Sequence, residues 1–224
     1  SHHPVALNWN HYNNKKILGT APVEEDGSAY FKVPAGRFVY FQLLDENGLM
    51  IHSMRSGTML QRGERQGCTG CHESRMEAPV ANAATMALSR PPSELDGWYG
   101  PERNFNYATE VQPVLDRHCV SCHDYGGDAE EINLSGDKGI LFSNSYINLM
   151  RSSPSYYVRS EHEDVEPKPL ISSVGAGPVK ILPPYSWGSH CSRLVDLLQE
   201  GHYDVELDGE EFDRLVTWIG LNTP

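Results

Sequence analysis

Cys119-Val120-Ser121-Cys122-His123 repeats the pattern of Cys68-Thr69-Gly70-Cys71-His72. A C-x-x-C-H motif attaches a c-type haem covalently. Each thiol adds to one vinyl group of the porphyrin. The two-residue spacer lets both sulfurs reach one ring edge, while the next side chain turns under the iron. His72 and His123 are therefore expected as proximal imidazole ligands, and two covalently attached c-type haems as the cofactors. C-x-x-C alone also serves zinc knuckles and redox dithiols. Neither requires a histidine directly after the second cysteine, and neither requires it twice. With 5 Cys and 10 His in 224 residues, one such motif arises by chance in roughly one chain of this composition in 200. Two argue for haem.

A small cytochrome c takes its distal ligand from a loop shortly before the C-terminal helix. Here Glu200-Gly201-His202-Tyr203 occupies that place, and residues 151–224 hold no methionine to compete. His202 is thus expected as the distal ligand of the second haem, with His190 as runner-up. The first haem has no such partner. Met54, Met59, Met76, Met86, His52 and His118 are near in sequence and none is singled out, since methionine also fills gaps in cores. Its sixth position stays unassigned, and an open iron there is the alternative that admits catalysis or gas binding.

These residues need elements to hold them. Short apolar runs at 16–23, 29–33, 37–43 and 49–54 alternate with Gly-, Pro- and Asp-rich turns, which predicts four strands of a small antiparallel sheet or sandwich. The nearly continuous apolar run in 38–43 reads as a strand covered on both faces. Residues 73–90 have helical composition, and Pro91-Pro92 ends them. Residues 91–105, rich in Pro and Gly, mark the boundary. Beyond it, 107–118 reads as a helix entering the second motif, 145–150 as a short helix, and 153–188 as a long acidic loop. Helical spacing returns at 190–201 and 208–221. The expected fold is α+β: a β-rich domain over residues 1–95 with the first haem, then a mainly α, cytochrome c-like domain over 96–224 with the second.

The net charge of -12 disfavours nucleic acid and anionic membranes and suits a basic-faced redox partner. No apolar run reaches membrane-spanning length. Covalent haem attachment follows export, so a periplasmic, extracellular or outer-surface location is expected. Cys191 is left over from the two motifs and is expected as a small, buried apolar side chain on a helix.

Two segments resemble the hydrazine synthase alpha subunit family. Residues 18–36, followed by Met54-Arg55-Ser56 and by Gly67-Cys68-Thr69-Gly70-Cys71-His72-Glu73, are similar to its β-rich, haem-bearing middle domain. Residues 111–119, with Gly188-Ser189-His190-Cys191, Gly201-His202 and Trp218-Ile219-Gly220, are similar to its C-terminal cytochrome c domain. The resemblance implies a larger parent with an upstream β-propeller domain. It does not carry hydrazine chemistry over. In hydrazine synthase a tyrosine four residues after the motif histidine is the axial ligand, and the matching position here is Met76. The expected function is a dihaem electron-transfer module. Its alternatives are a haem enzyme acting on peroxide or a nitrogen oxide at an open first haem, and a haem that binds gas.

Overall fold

The computed structural model describes residues 15–54, 56–70, 84–151, 168–174 and 182–224. Cys71, His72, Met76, most of the expected 73–90 helix and much of the expected 153–188 loop lie outside the described residues.

The fold is α+β, with small antiparallel sheets and helices. β1 (Phe38–Val39) pairs with β4 (Thr58–Met59), and β2 (Gln42–Leu44) pairs with β3 (Met50–Ser53). The β2–β3 turn closes on Asp45, whose side chain accepts from the Asn47 and Leu49 N–H groups at 2.9 and 2.8 Å. Expected strands at 16–23 and 29–33 are only isolated bridges: Lys16 to Asn104, Thr20 to Asp96 and Phe31 to Ser93. The reason is local. Gly19 adopts φ +135°, and a Cβ there would stand 2.1 Å from the Asp96 carbonyl oxygen, while Pro22 lacks an N–H for a ladder. The run at 37–43 also departs from expectation. It divides between two sheets, and Phe38 and Leu43 are exposed rather than covered on both faces.

The helices are α1 (Tyr107–Glu110), α2 (Gln112–His118), α3 (Asn144–Met150), α4 (Arg193–Glu200) and α5 (Gly209–Gly220). The expected single helix over 107–118 breaks at Val111, because Pro113 sits in the first turn of α2 without an N–H to continue the α1 ladder. In the described part of 73–90, Met86–Ser89 forms a 3₁₀ turn. Cys191 closes another, Ser189–Cys191, just before α4. It is half-buried, and its thiol donates to the Tyr185 carbonyl at 2.9 Å.

α5 is the centre of the core. Leu215, Val216, Trp218 and Ile219 are buried along it and pack with Val111, Val114, Leu115, Leu149 and Val195. Its start is set by a capping box: Asp208 accepts from the Glu211 N–H at 2.8 Å, and Glu211 accepts from the Asp208 N–H at 3.1 Å. Its end receives the β-rich segment. Gln42 Nε2 donates to the Gly220 carbonyl at 2.6 Å, and the buried Lys15 ammonium donates to that of Leu221. Burial pulls the Lys15 pKa down to about 8.

Glu110, at the end of α1, is 1% exposed between two guanidiniums. Arg103 grips it through both nitrogens at 2.6 and 2.7 Å, and Arg214 of α5 contacts the same carboxylate. Both cations also stand over the Trp98 ring, at 5.2 and 5.3 Å from its centre. Glu110→Ala strands these charges and is expected to lower the unfolding free energy by about 3 kcal/mol, read as a urea midpoint. Removing the exposed Glu94 partner of Lys32 should leave that midpoint unchanged.

Candidate functional site

α2 runs straight into the second motif. The Cys119 N–H caps it on the Leu115 carbonyl at 2.8 Å, and the His123 N–H reaches the Cys119 carbonyl at 2.9 Å, so the motif continues as a tight turn. Cys119 and Val120 pack against the core, whereas Ser121 and Cys122 face solvent. Burial pushes the Cys119 thiol up to about 11.

The loop after the motif folds back to hold His123. Gly127 lets the chain pass close to the motif, since a Cβ there would lie 2.3 Å from the Cys122 carbonyl oxygen. The Ala129 N–H then donates to that carbonyl, and the Leu134 N–H donates to the His123 carbonyl at 2.7 Å. The His123 ring is held from the same stretch, with Nδ1 lying 3.1 Å from the Ile132 carbonyl oxygen. A carbonyl only accepts, so Nδ1 carries the proton and Nε2 is left with its lone pair. Asn148 of α3 braces the stretch by donating to the Asn133 carbonyl at 2.8 Å.

His202 lies in the connection from α4 to α5. Gly201, at φ +94°, ends α4 and turns the chain. The centres of the His202 and His123 rings lie 6.1 Å apart, with their planes 26° from parallel. His190 is elsewhere engaged: its Nε2 lies 3.1 Å from Asp45 Oδ2, and its ring meets Tyr185 edge-on.

One carboxylate joins the two histidine-bearing segments. Glu211 at the start of α5 takes the His118 Nε2 at 3.0 Å and the Arg117 guanidinium, both from the last turn of α2. Burial raises the Glu211 pKa, but the hydrogen bonds from His118 and the Asp208 N–H, with the Arg117 charge, hold it below the usual carboxylate range. The capping box is legible as Asp208-x-x-Glu211 in the sequence, but its second role in gripping α2 is not. The Ile132 carbonyl also escapes sequence reading, because any residue there offers the same oxygen.

For the first motif the described residues place Cys68 on the surface of an irregular stretch. Cys68 lines a cleft of about 2940 Å³ between the β-rich segment and α5, with Tyr40, His52 and Met54 along its wall. Among the other methionines weighed for this site, Met59 and Met86 are 50% and 45% exposed. Among the described residues, no group of three or more His, Cys, Asp or Glu side chains is gathered as for a metal ion.

Residues 2–73 match the family model of the hydrazine synthase alpha subunit middle domain. Over that segment the chain is similar to the hydrazine synthase alpha subunit middle domain. Its fold extends the likeness: Kuenenia stuttgartiensis hydrazine synthase superposes with a TM-score of 0.63 at 19% identity, over 95% of this chain and 33% of that one. The chain thus spans a third of the length of that hydrazine synthase chain. No curated protein matches the chain in sequence.

Glu211→Ala should lower stability by about 2 kcal/mol, and Asp208→Ala, which loses only the cap, by about 1. The pH dependence has a fixed sign. With the Glu211 carboxyl held low in the folded chain, the unfolded chain takes up protons first as pH falls, so this contribution is full above about pH 5 and is lost below it. Urea titrations at neutral and acid pH should show the wild type losing more stability than Glu211→Ala.

Proposed function

We propose that this chain is a dihaem c-type cytochrome module of a larger exported protein, passing single electrons to or from a redox partner. The observation that carries this is the 6.1 Å separation of the His123 and His202 ring centres. An imidazole nitrogen stands about 2 Å from a metal it ligates, with its ring centre about 1 Å behind, so two axial imidazoles on one metal have centres roughly 6 Å apart. The pair stands at 6.1 Å. The residues present therefore fit the group.

In this reading Cys119 and Cys122 would hold the second haem by thioether bonds, and His123 and His202 would hold its iron. When bound, the haem supplies a one-electron Fe(III)/Fe(II) couple. The residues do the rest. The Ile132 carbonyl fixes the His123 tautomer and ring orientation. Glu211 holds the two histidine-bearing segments together. His123 and His202 would both be engaged by that haem and would leave no site there for a substrate, which suits electron transfer. Cys68, Cys71 and His72 would hold the first haem, as their C-x-x-C-H spacing implies. The export that covalent attachment requires places the protein in the periplasm or outside the cell.

No distal ligand is assigned to the first haem, so an accessible iron acting on peroxide or a nitrogen oxide, or binding a gas, is the alternative.

Low-temperature EPR of the oxidised protein, with reduced spectra taken with and without carbon monoxide, tests both readings. Two low-spin signals and no carbon monoxide shift are expected for electron transfer. A high-spin signal with a shift in half the haem supports the second reading. His202→Ala should turn the second haem high-spin and carbon monoxide-reactive, while His190→Ala leaves it low-spin. A second haem that stays low-spin in the double variant would sink the His202 assignment.

A further inference from the structure

The segment that follows His123 ends in a hairpin whose tip is apolar and fully in water. Lys138 bridges Ser143, and the Gly139 N–H donates to the Phe142 carbonyl at 2.8 Å, leaving Ile140 and Leu141 as the two-residue tip. Ile140 is 102% exposed and Leu141 83%. Two-residue tips are usually built from Asn, Asp and Gly, whose backbones suit the turn. Branched aliphatic side chains there add nothing to this fold, because their apolar surface stays in water.

The tip stands beside the second motif. Asn144 follows the hairpin and donates through Nδ2 to the Tyr125 hydroxyl at 2.6 Å and through its N–H to the Asp137 carbonyl at 2.9 Å. Tyr125 is the second residue after His123 and is 70% exposed, and Cys122 is exposed as well. The surroundings are acidic. Between residues 124 and 143, Asp124, Asp128, Glu130, Glu131 and Asp137 face Lys138 alone. An apolar centre with a charged rim is the anatomy of a docking patch.

The sign of the rim selects the occupant. A second copy would bring the same rim on a chain of net charge -12 and be repelled. A protein with lysines around an apolar contact is attracted. We propose that Tyr125, Ile140 and Leu141, on the acidic stretch that carries the exposed Asp128, Glu131 and Asp137, are the docking surface for a basic redox protein that exchanges electrons at the His123 motif. This rests on the electron-transfer reading above.

The test mixes the reduced, haem-loaded protein with an oxidised, lysine-rimmed cytochrome c of the mitochondrial type in a stopped-flow instrument. One electron passes from the chain to the ferric probe, which becomes ferrous, and no bond is made or broken. The second-order rate for the wild type should fall about tenfold between low and high salt. Ile140→Ser/Leu141→Ser should slow the reaction about tenfold with haem spectrum and midpoint potential unchanged. Asp128→Asn/Glu131→Gln should flatten the salt dependence. A serine double variant that reacts at the wild-type rate overturns the surface while leaving the electron-transfer reading in place. A wild type that passes no electrons overturns both. Sedimentation is the remaining control, since a dimer dispersed by the two serines would assign the tip to a second copy.

Discussion

The separation between two short segments of chain rests on the Glu211 carboxylate. It belongs to α5 but is satisfied from three directions: its own cap residue Asp208, and Arg117 and His118 at the end of α2. His123 follows α2 by one turn, and His202 precedes α5 by a short loop. The distance between their rings is therefore set by a contact that neither histidine makes. Glu110 repeats the device further along, tying α1 to α5 through Arg214. Charges buried in this way add little net stability, but they penalise any other packing angle between these helices.

What lies beyond this frame is more loosely built. β1 to β4 form two ladders of two strands each, and the preceding segment is held by single bridges to residues 93–104. Lys15 and Gln42 carry the attachment to α5 at its C-terminal end. The β-rich segment is thus fastened to the last turn of α5, whereas the second motif is fastened to the first. The 185–190 segment adds a second tie to the β2–β3 hairpin, with the Met50 N–H donating to Ser189 Oγ at 2.8 Å and the Tyr185 N–H to the Ile51 carbonyl at 2.9 Å.

Patterns that depend on side-chain type along one helix are readable in the sequence. The apolar spacing of α5, the Asp208-x-x-Glu211 signature and the run of α2 into Cys119 are all of this kind. Features that depend on what lies opposite are not. The division of 37–43 between two sheets depends on the distant residues 58–59 pairing with 38–39. The break at Val111 was available from Pro113, but the helical spacing on either side masks it. His202 could be named as a candidate from its place before the last helix, yet no sequence feature specifies the tilt or spacing of its ring against His123. The first motif stands differently, because Cys71 and His72 lie outside the described residues and Cys68 alone marks its place.

The hydrogen bond from His123 to the Ile132 carbonyl has a consequence for tolerance to substitution. A side-chain partner in that position would be lost with any change of residue. A backbone carbonyl is offered by every residue type, so the His123 ring keeps its orienting partner whatever side chain stands at position 132.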